Sequence, residues 1–182
     1  MSCDRDYWES YYLRSLRRRG ELRSEDCYCP AERLLPLLGH VTKDMQALVV
    51  GAGTSELPEL LSKHLEVSAL DLSACCVAEM ARHSKVRWSL GDAMDLPAAW
   101  KRAIAAISLS LGVEESWAEH FDLVVDKGLL WPKAAELQHE QCQQLLREYR
   151  RVLRPGAEEL SSHHLKCCKE SPESRTFRPH AL

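Results

Sequence analysis

The sequence has no apolar run of the roughly 20 residues that a membrane-spanning helix needs. Its first ten residues, MSCDRDYWES, mix acids with aromatics and contain no apolar segment. They do not read as a secretory leader, nor as the acid-poor, Arg- and Ser-rich presequence of a mitochondrial protein. A cytosolic location is expected, with the nucleus as the alternative, and no membrane partner. No charge of one sign prevails: the formal net charge is −3, which argues against nucleic acid as the main partner. One local exception is a basic cluster near the N-terminus, Arg14, Arg17, Arg18, Arg19 and Arg23, which reads as a solvated helix face or as a contact for an acidic partner or RNA. There are eight cysteines but no repeated C-x2-C pair, so no zinc site is expected. Adjacent pairs such as Cys75-Cys76 and Cys167-Cys168 make a poor disulfide framework, and reduced thiols follow.

What remains is an ordinary globular composition. At 182 residues, 45% of them apolar, the chain is long enough for one domain with a real core. Residues 4–19 read as a helix with an aromatic side, and 20–30 as a loop. Ala31–Leu38 has the spacing of a short helix closed by Gly39. Ala47–Val50 is a fully apolar strand-type run, followed at once by Gly51-Ala52-Gly53. Ser55 is placed to cap the next helix, with Pro58 in its first turn and Leu57, Leu60, Leu61 and Leu65 facing a core. Val67–Leu70 is a second strand ending at Asp71, and Ser73 is placed to cap a helix through Val77 and Met80. Val86–Leu90 is a third strand, ending at Gly91-Asp92. Residues 97–120 read as an insertion containing a helix. Phe121–Val125 is a fourth strand ending at Asp126. Gln138–Leu153 is amphipathic, with Cys142, Leu145, Leu146, Tyr149, Val152 and Leu153 at helical spacing, and Arg154-Pro155-Gly156 ends it. After Ala157 the pattern fails: Glu158-Glu159 and His163-His164 interrupt any strand. Residues 161–182 read as a polar, disordered tail.

This order predicts a doubly wound, Rossmann-like α/β fold of three layers, a mostly parallel sheet with helices on both faces and irregular or incomplete C-terminal strands. Ligands of such sheets bind beyond the carboxyl ends of the strands. Three strand-end acids, Asp71, Asp92 and Asp126, map to that edge. Gly51 and Gly53 let a backbone approach a ligand closely, and the helix after them offers its N-terminal amides. Asp71 is placed to accept both hydrogen bonds of a ribose diol, and Asp92 one from an adenine amino group. A Gly-x-Gly by itself suits several cofactors; the ordered combination describes an adenosine-shaped slot. A dinucleotide fingerprint wants a third glycine where this chain has Glu56, and a carboxylate there would face a pyrophosphate unfavourably. S-adenosylmethionine has no phosphate and carries a sulfonium and an ammonium group, so nearby acids favour it over NAD. No Gly-Lys-Ser/Thr follows, which removes the P-loop option.

The motifs ALVVGAGTSEL (47–57), SALDLS (68–73), GDAMDLP (91–97), FDLVVDKG (121–128) and RRVLRPG (150–156) resemble the class I, seven-β-strand S-adenosylmethionine-dependent methyltransferases. With Tyr7-Trp8-x-x-x-Tyr12, the Asp-Lys-Gly at 126–128 resembles the lysine methyltransferases that act on elongation factor 1A, and a mitochondrial relative that acts on citrate synthase. The resemblance implies a methyltransferase domain over 1–160, with 1–30 capping the cofactor. It implies that Gly51 and Gly53 line the methionine part, Asp71 and Leu72 take the ribose, and Asp92 and Ala93 the adenine. Trp8, Tyr12 and Tyr28 would close over the cofactor, and Lys127 would lie beside it. The product would be S-adenosylhomocysteine, the acceptor a lysine of a protein substrate, and the enzyme a monomer. Asp126 is the candidate polar contact that guides the lysine as it loses its proton.

The chain also departs from that subgroup. Val49 stands where many class I enzymes have an acid, though the subgroup itself often has an apolar residue there. Leu129 and Trp131 replace its usual Thr and Asp, Ala157 replaces a glycine, and the last strands are not recognisable. A shortened or catalytically inactive cofactor-binding module is therefore the alternative reading. A small-molecule or RNA methyltransferase comes next, and a nicotinamide oxidoreductase is disfavoured by Glu56.

Overall fold

The computed structural model describes residues 5–25, 30–38, 41–99, 118–126, 129 and 139–161. Tyr28, Lys127, Trp131, Gly39, most of the expected insertion and all but the first residue of the expected tail lie outside these residues.

Among the described residues five parallel strands form one sheet: β1 (Gln46–Val50), β2 (Glu66–Asp71), β3 (Arg87–Leu90), β4 (Phe121–Asp126) and β5 (Leu153–Ser161), in the order β3-β2-β1-β4-β5. The order reverses at β1, which pairs with β2 on one side and β4 on the other. Helices α1 (Arg5–Arg19), α2 (Leu57–Leu61), α3 (Ala74–His83) and α4 (His139–Val152) complete the described frame, with a further helical stretch at 96–99. The central strands β1 and β4 read as nearly continuous apolar runs because both faces are covered. Alternate residues serve opposite cores. Ala47 and Val49 pack with Ala69, Leu123, Val125 and the α2 residues Leu57 and Leu61. Leu48 and Val50 pack with Leu70, Val124, Leu96, Ala99 and the α4 residues Leu145, Tyr149 and Val152. The expected doubly wound α/β fold is present.

Local expectations differ in four places. Residues 31–37 form two 3₁₀ turns rather than a helix, the second with Pro36 near its start. Glu56, not Ser55, is the N-cap of α2, although Ser55 Oγ accepts from the Leu57 amide at 3.0 Å. At five residues, α2 has too short a row of peptide dipoles for its N-terminus to carry the ligand argument made from sequence. Finally, α4 does not run to a terminating Arg-Pro-Gly: it ends at Val152 and the chain enters β5 at Leu153.

The failure of the strand pattern after Ala157 is thus corrected. Leu153 pairs with Phe121 and Glu158 with Leu123, so the residues between form a bulge. Pro155 has no amide to give a ladder, and Gly156 has φ 82°, so both belong in a bulge rather than in a regular strand. Glu158–Ser161 then pair with Leu123–Asp126 through the backbone, which asks nothing of side-chain hydropathy.

Candidate functional site at the carboxyl edge of the sheet

The turn after β1 is built on two left-handed glycines, Gly51 (φ 61°) and Gly53 (φ 54°). Residues with a Cβ adopt this region at a cost of ~1–2 kcal/mol. Space restricts both positions further. A Cβ on Gly51 would stand 2.8 Å from Leu129 Cγ, and one on Gly53 would stand 2.9 Å from the Tyr12 hydroxyl. The turn is pinned to β2 by the Ala52 amide, which donates to the Leu70 carbonyl at 3.1 Å.

Asp71 ends β2 directly beneath this turn and is 8% exposed. Its Oδ2 accepts from the Gly53 amide and its Oδ1 from the Ser73 amide, both at 2.9 Å. Burial holds its carboxyl above the usual carboxylate value; the amides of Ser73, Gly53 and Leu72 oppose this, and the Glu9 carboxylate adds to it. One buried acid therefore joins the glycine turn to the start of α3, where Ser73 is the expected N-cap, its Oγ accepting from the Cys76 amide at 3.1 Å. Leu72, next in line, is half-buried.

At the end of β3, Asp92 is half-buried and its Oδ1 accepts from the Met94 amide at 2.9 Å, closing a turn over buried Ala93. Gly91 just before it is packed against Ala99 and Leu70, leaving no room for a side chain. Its amide donates to the Asp71 carbonyl at 3.0 Å, so the ends of β2 and β3 are held level.

Helix α1 closes the edge from outside. Trp8 and Tyr12 stack, ring centroids 6.0 Å apart. Tyr12 is buried, and its hydroxyl hydrogen-bonds to the Cys76 sulfur. Glu9 fixes the helix: its carboxylate accepts from Ser73 Oγ at 2.7 Å and from the Cys75 amide at 3.2 Å, satisfying an open amide of α3. Sequence reasoning missed Glu9. Its only signal was its place on the helical side shared with Tyr12 and Leu16.

Asp126 ends β4 on the same edge but is fully buried. Its Oδ1 accepts from the Leu129 amide at 2.6 Å, and its Oδ2 from the Tyr149 hydroxyl at 3.0 Å. Tyr149 is a second residue whose role the sequence did not show. A tyrosine on the apolar face of α4 was the available sign, because a buried hydroxyl needs a partner. The edge therefore brings together Trp8, Tyr12, Gly51, Gly53, Asp71, Leu72, Asp92, Ala93 and Asp126. Glu56 is exposed.

No family model matches the sequence, and no curated protein matches it. Solved structures do. The fold is similar to that of a TehB-like SAM-dependent methyltransferase from Corynebacterium glutamicum, at 20% identity over 87% of this chain and 73% of that one, TM-score 0.52. It is similar to phosphoethanolamine N-methyltransferase 2 of Haemonchus contortus in complex with S-adenosyl-L-methionine, at 16% identity over 85% of this chain and 31% of that one, TM-score 0.53. A third is the complex between the Haloferax volcanii Trm112 methyltransferase activator and a methyltransferase, at 15% identity over 88% of this chain and 60% of that one, TM-score 0.56. At these identities the likeness establishes a shared Rossmann-like fold, and this chain spans less than two-thirds of the latter two.

Proposed function

We propose that the chain is an S-adenosylmethionine-dependent methyltransferase whose acceptor is a lysine of a protein. The observation that carries this reading is the buried carboxylate of Asp71, bonded to the Gly53 amide at the edge where the strand order reverses. An acid in that position, joined to a glycine turn that tolerates no Cβ, suits a ribose diol beside a closely approaching amino-acid moiety. Asp92 and Ala93 lie one strand further out, where the purine would follow. The residues present fit the cofactor: the two acids Asp71 and Asp92 at the ends of neighbouring strands suit a ligand that carries positive charge and no phosphate. Bound S-adenosylmethionine supplies a sulfonium methyl group open to in-line attack, a reaction that asks mainly for alignment.

The chain's own residues then divide the work. Asp71 accepts from the ribose and holds the turn. Gly51 and Gly53 admit the methionine end once Leu129 and Tyr12 withdraw from them. Tyr12 and Trp8 cover the cofactor from α1 and exclude water. Tyr28 and Lys127 belong to the same cover by the resemblance of their motifs. Asp126 is fully buried and accepts from the Leu129 amide and the Tyr149 hydroxyl, so it positions Leu129 rather than receiving a proton from substrate.

That buried Asp126, with Leu129 seated on Gly51, also favours a second reading, a module that binds the cofactor without turnover. Thermal-shift titrations with S-adenosylmethionine, S-adenosylhomocysteine and NAD separate the readings from the oxidoreductase, since a ligand of the native state raises the melting point. Stabilisation by the first two and not by NAD is expected. Transfer of labelled methyl groups to a protein, recovered as methyl-lysine after hydrolysis, is expected of the enzyme. Binding without transfer selects the inactive module, and stabilisation by NAD alone overturns both.

A further inference from the structure

Helix α1 concentrates positive charge on a net negative chain. It carries five arginines against Asp6 and Glu9, a local net of +3, where the whole chain stands at −3. Its inner side is in use: Tyr12 and Glu9 lie on the glycine turn and α3. Its outer side is more open. Asp6, Tyr7, Leu13, Arg14, Arg17 and Arg18 are exposed there, one acid among three arginines. At about 100° per residue they share one face roughly 140° wide. Tyr7 (43% exposed) and Leu13 (39%) are the large hydrophobic side chains left open among the described residues. Arg14, Arg17 and Arg18 make no ion pair or side-chain hydrogen bond with any described residue.

Arginines in a last turn suit the helix dipole on their own. That account covers Arg17 and Arg18, but Arg14 lies more than a turn from the end, and the dipole does not call for an open leucine and tyrosine. Arginine and tyrosine around an apolar contact are the composition of protein interfaces. A polynucleotide would want several open rings for stacking. Here Tyr12 is buried, Trp8 is turned in against it, and Tyr11 donates to Glu25 at 2.7 Å. Leu13 offers no stacking face.

We propose that this outer face docks an acidic protein segment, with carboxylates on Arg14, Arg17 and Arg18 and an apolar side chain against Tyr7 or Leu13. Because the inner side of the same helix lies on Gly53 and α3, the segment is held beside the carboxyl edge of the sheet. The docking face stands by itself; that the docked protein carries the methyl acceptor rests on the function proposed above.

The test uses the full chain and three labelled probes of equal length: a Glu-Glu-Leu repeat peptide, a Glu-Glu-Ser repeat peptide and oligouridylate, followed by fluorescence anisotropy. The Glu-Glu-Leu peptide should bind tightest. Its affinity should fall as salt screens the exposed charges, at least tenfold in Arg14→Glu/Arg17→Glu/Arg18→Glu, and several-fold in Tyr7→Ser/Leu13→Ser. Circular dichroism checks that both variants keep their helices. Tighter binding of oligouridylate, equal binding of the two peptides, no binding of any probe, or affinity unchanged by the triple reversal each overturns the proposal. Thermal shifts with S-adenosylmethionine, run on the same samples, should be the same in wild type and the triple arginine variant. Their absence from wild type would sink the proposed function and leave the docking result standing.

Discussion

The hydroxyl of Tyr12 lies 2.9 Å from the point where a Cβ on Gly53 would stand. A helix at the start of the chain thus reaches the tightest point of the turn after β1. The contact is polar on one side and backbone on the other, so it can be tested from both.

Gly53→Ala places a methyl group in a left-handed conformation and against a buried, stacked tyrosine. A loss of ~1–2 kcal/mol is expected from the backbone alone, with more from the contact. Urea titrations of Gly53→Ala, Tyr12→Phe and the double variant measure it. The double should be less destabilised than the sum of the singles, because removing the hydroxyl relieves the clash but not the strain. Strict additivity would count against the contact.

Asp71→Asn replaces a carboxylate that receives backbone amides with a group that is itself half donor. A buried hydrogen bond to a charged group is worth about 1.5–3 kcal/mol, and a loss of that order is expected, together with weaker binding of S-adenosylmethionine by calorimetry. The pH dependence has a definite sign. Burial raises the folded carboxyl above its ordinary value of 3.8. The folded state therefore holds the proton more tightly than the unfolded one. Asp71's own contribution to stability is full below the ordinary value and declines as pH rises through the raised one. On the proposed function cofactor affinity moves the other way, since the charged form is the one that would accept from the ribose. It should fall in wild type as pH drops through the raised value, and Asp71→Asn should lack that step.

Tyr149→Phe removes the hydroxyl that donates to the fully buried Asp126. About 1.5–3 kcal/mol of stability should be lost. Asp126→Asn keeps the shape but puts an amide where one acceptor oxygen stood, and should cost a similar amount. Any change in methyl transfer should follow the altered position of the segment after β4, so KM for the acceptor should rise while cofactor affinity moves little. A large loss of cofactor affinity in Tyr149→Phe would contradict this assignment.

Leu129→Ala uncovers Gly51. The side chain packs beside the Leu48 and Val50 core, so a stability loss is expected with it. S-adenosylmethionine should nonetheless bind a few-fold more tightly, because no side chain has to be displaced from the glycine. Weaker binding would mean that Leu129 is a wall of the site.

Arg154 and Asp122 meet far from this edge, at the opposite end of β4. One guanidinium nitrogen lies 2.8 Å from each carboxylate oxygen, and Asp122 Oδ2 also accepts from the Gln46 amide at 2.8 Å. The pair is partly exposed, so Arg154→Ala should cost no more than about 1 kcal/mol. Cofactor binding should not change, which makes it the control for the edge variants.

Much of this was legible from the amino acids in order. The four strands from β1 to β4 and their terminal acids followed from short apolar runs bounded by glycine or aspartate, a signal carried within five or six residues. The glycine turn and the Ser73 cap are local too. What the sequence by itself determined is therefore the frame: a parallel sheet whose carboxyl edge carries Gly51, Gly53, Asp71, Asp92 and Asp126. Only the tertiary structure decided how those residues are used. Glu9 caps a helix 64 residues away, Tyr12 sits on Gly53, Leu129 sits on Gly51, and Asp126 turns inward to Tyr149 instead of outward. The fifth strand escaped for the same reason. Its pairing runs through backbone amides and carbonyls and across a bulge at Pro155 and Gly156, and such bonds leave no mark in the hydropathy of a chain. Side-chain periodicity records which face is buried; which distant group meets a given carboxylate is settled only when the layers close on one another.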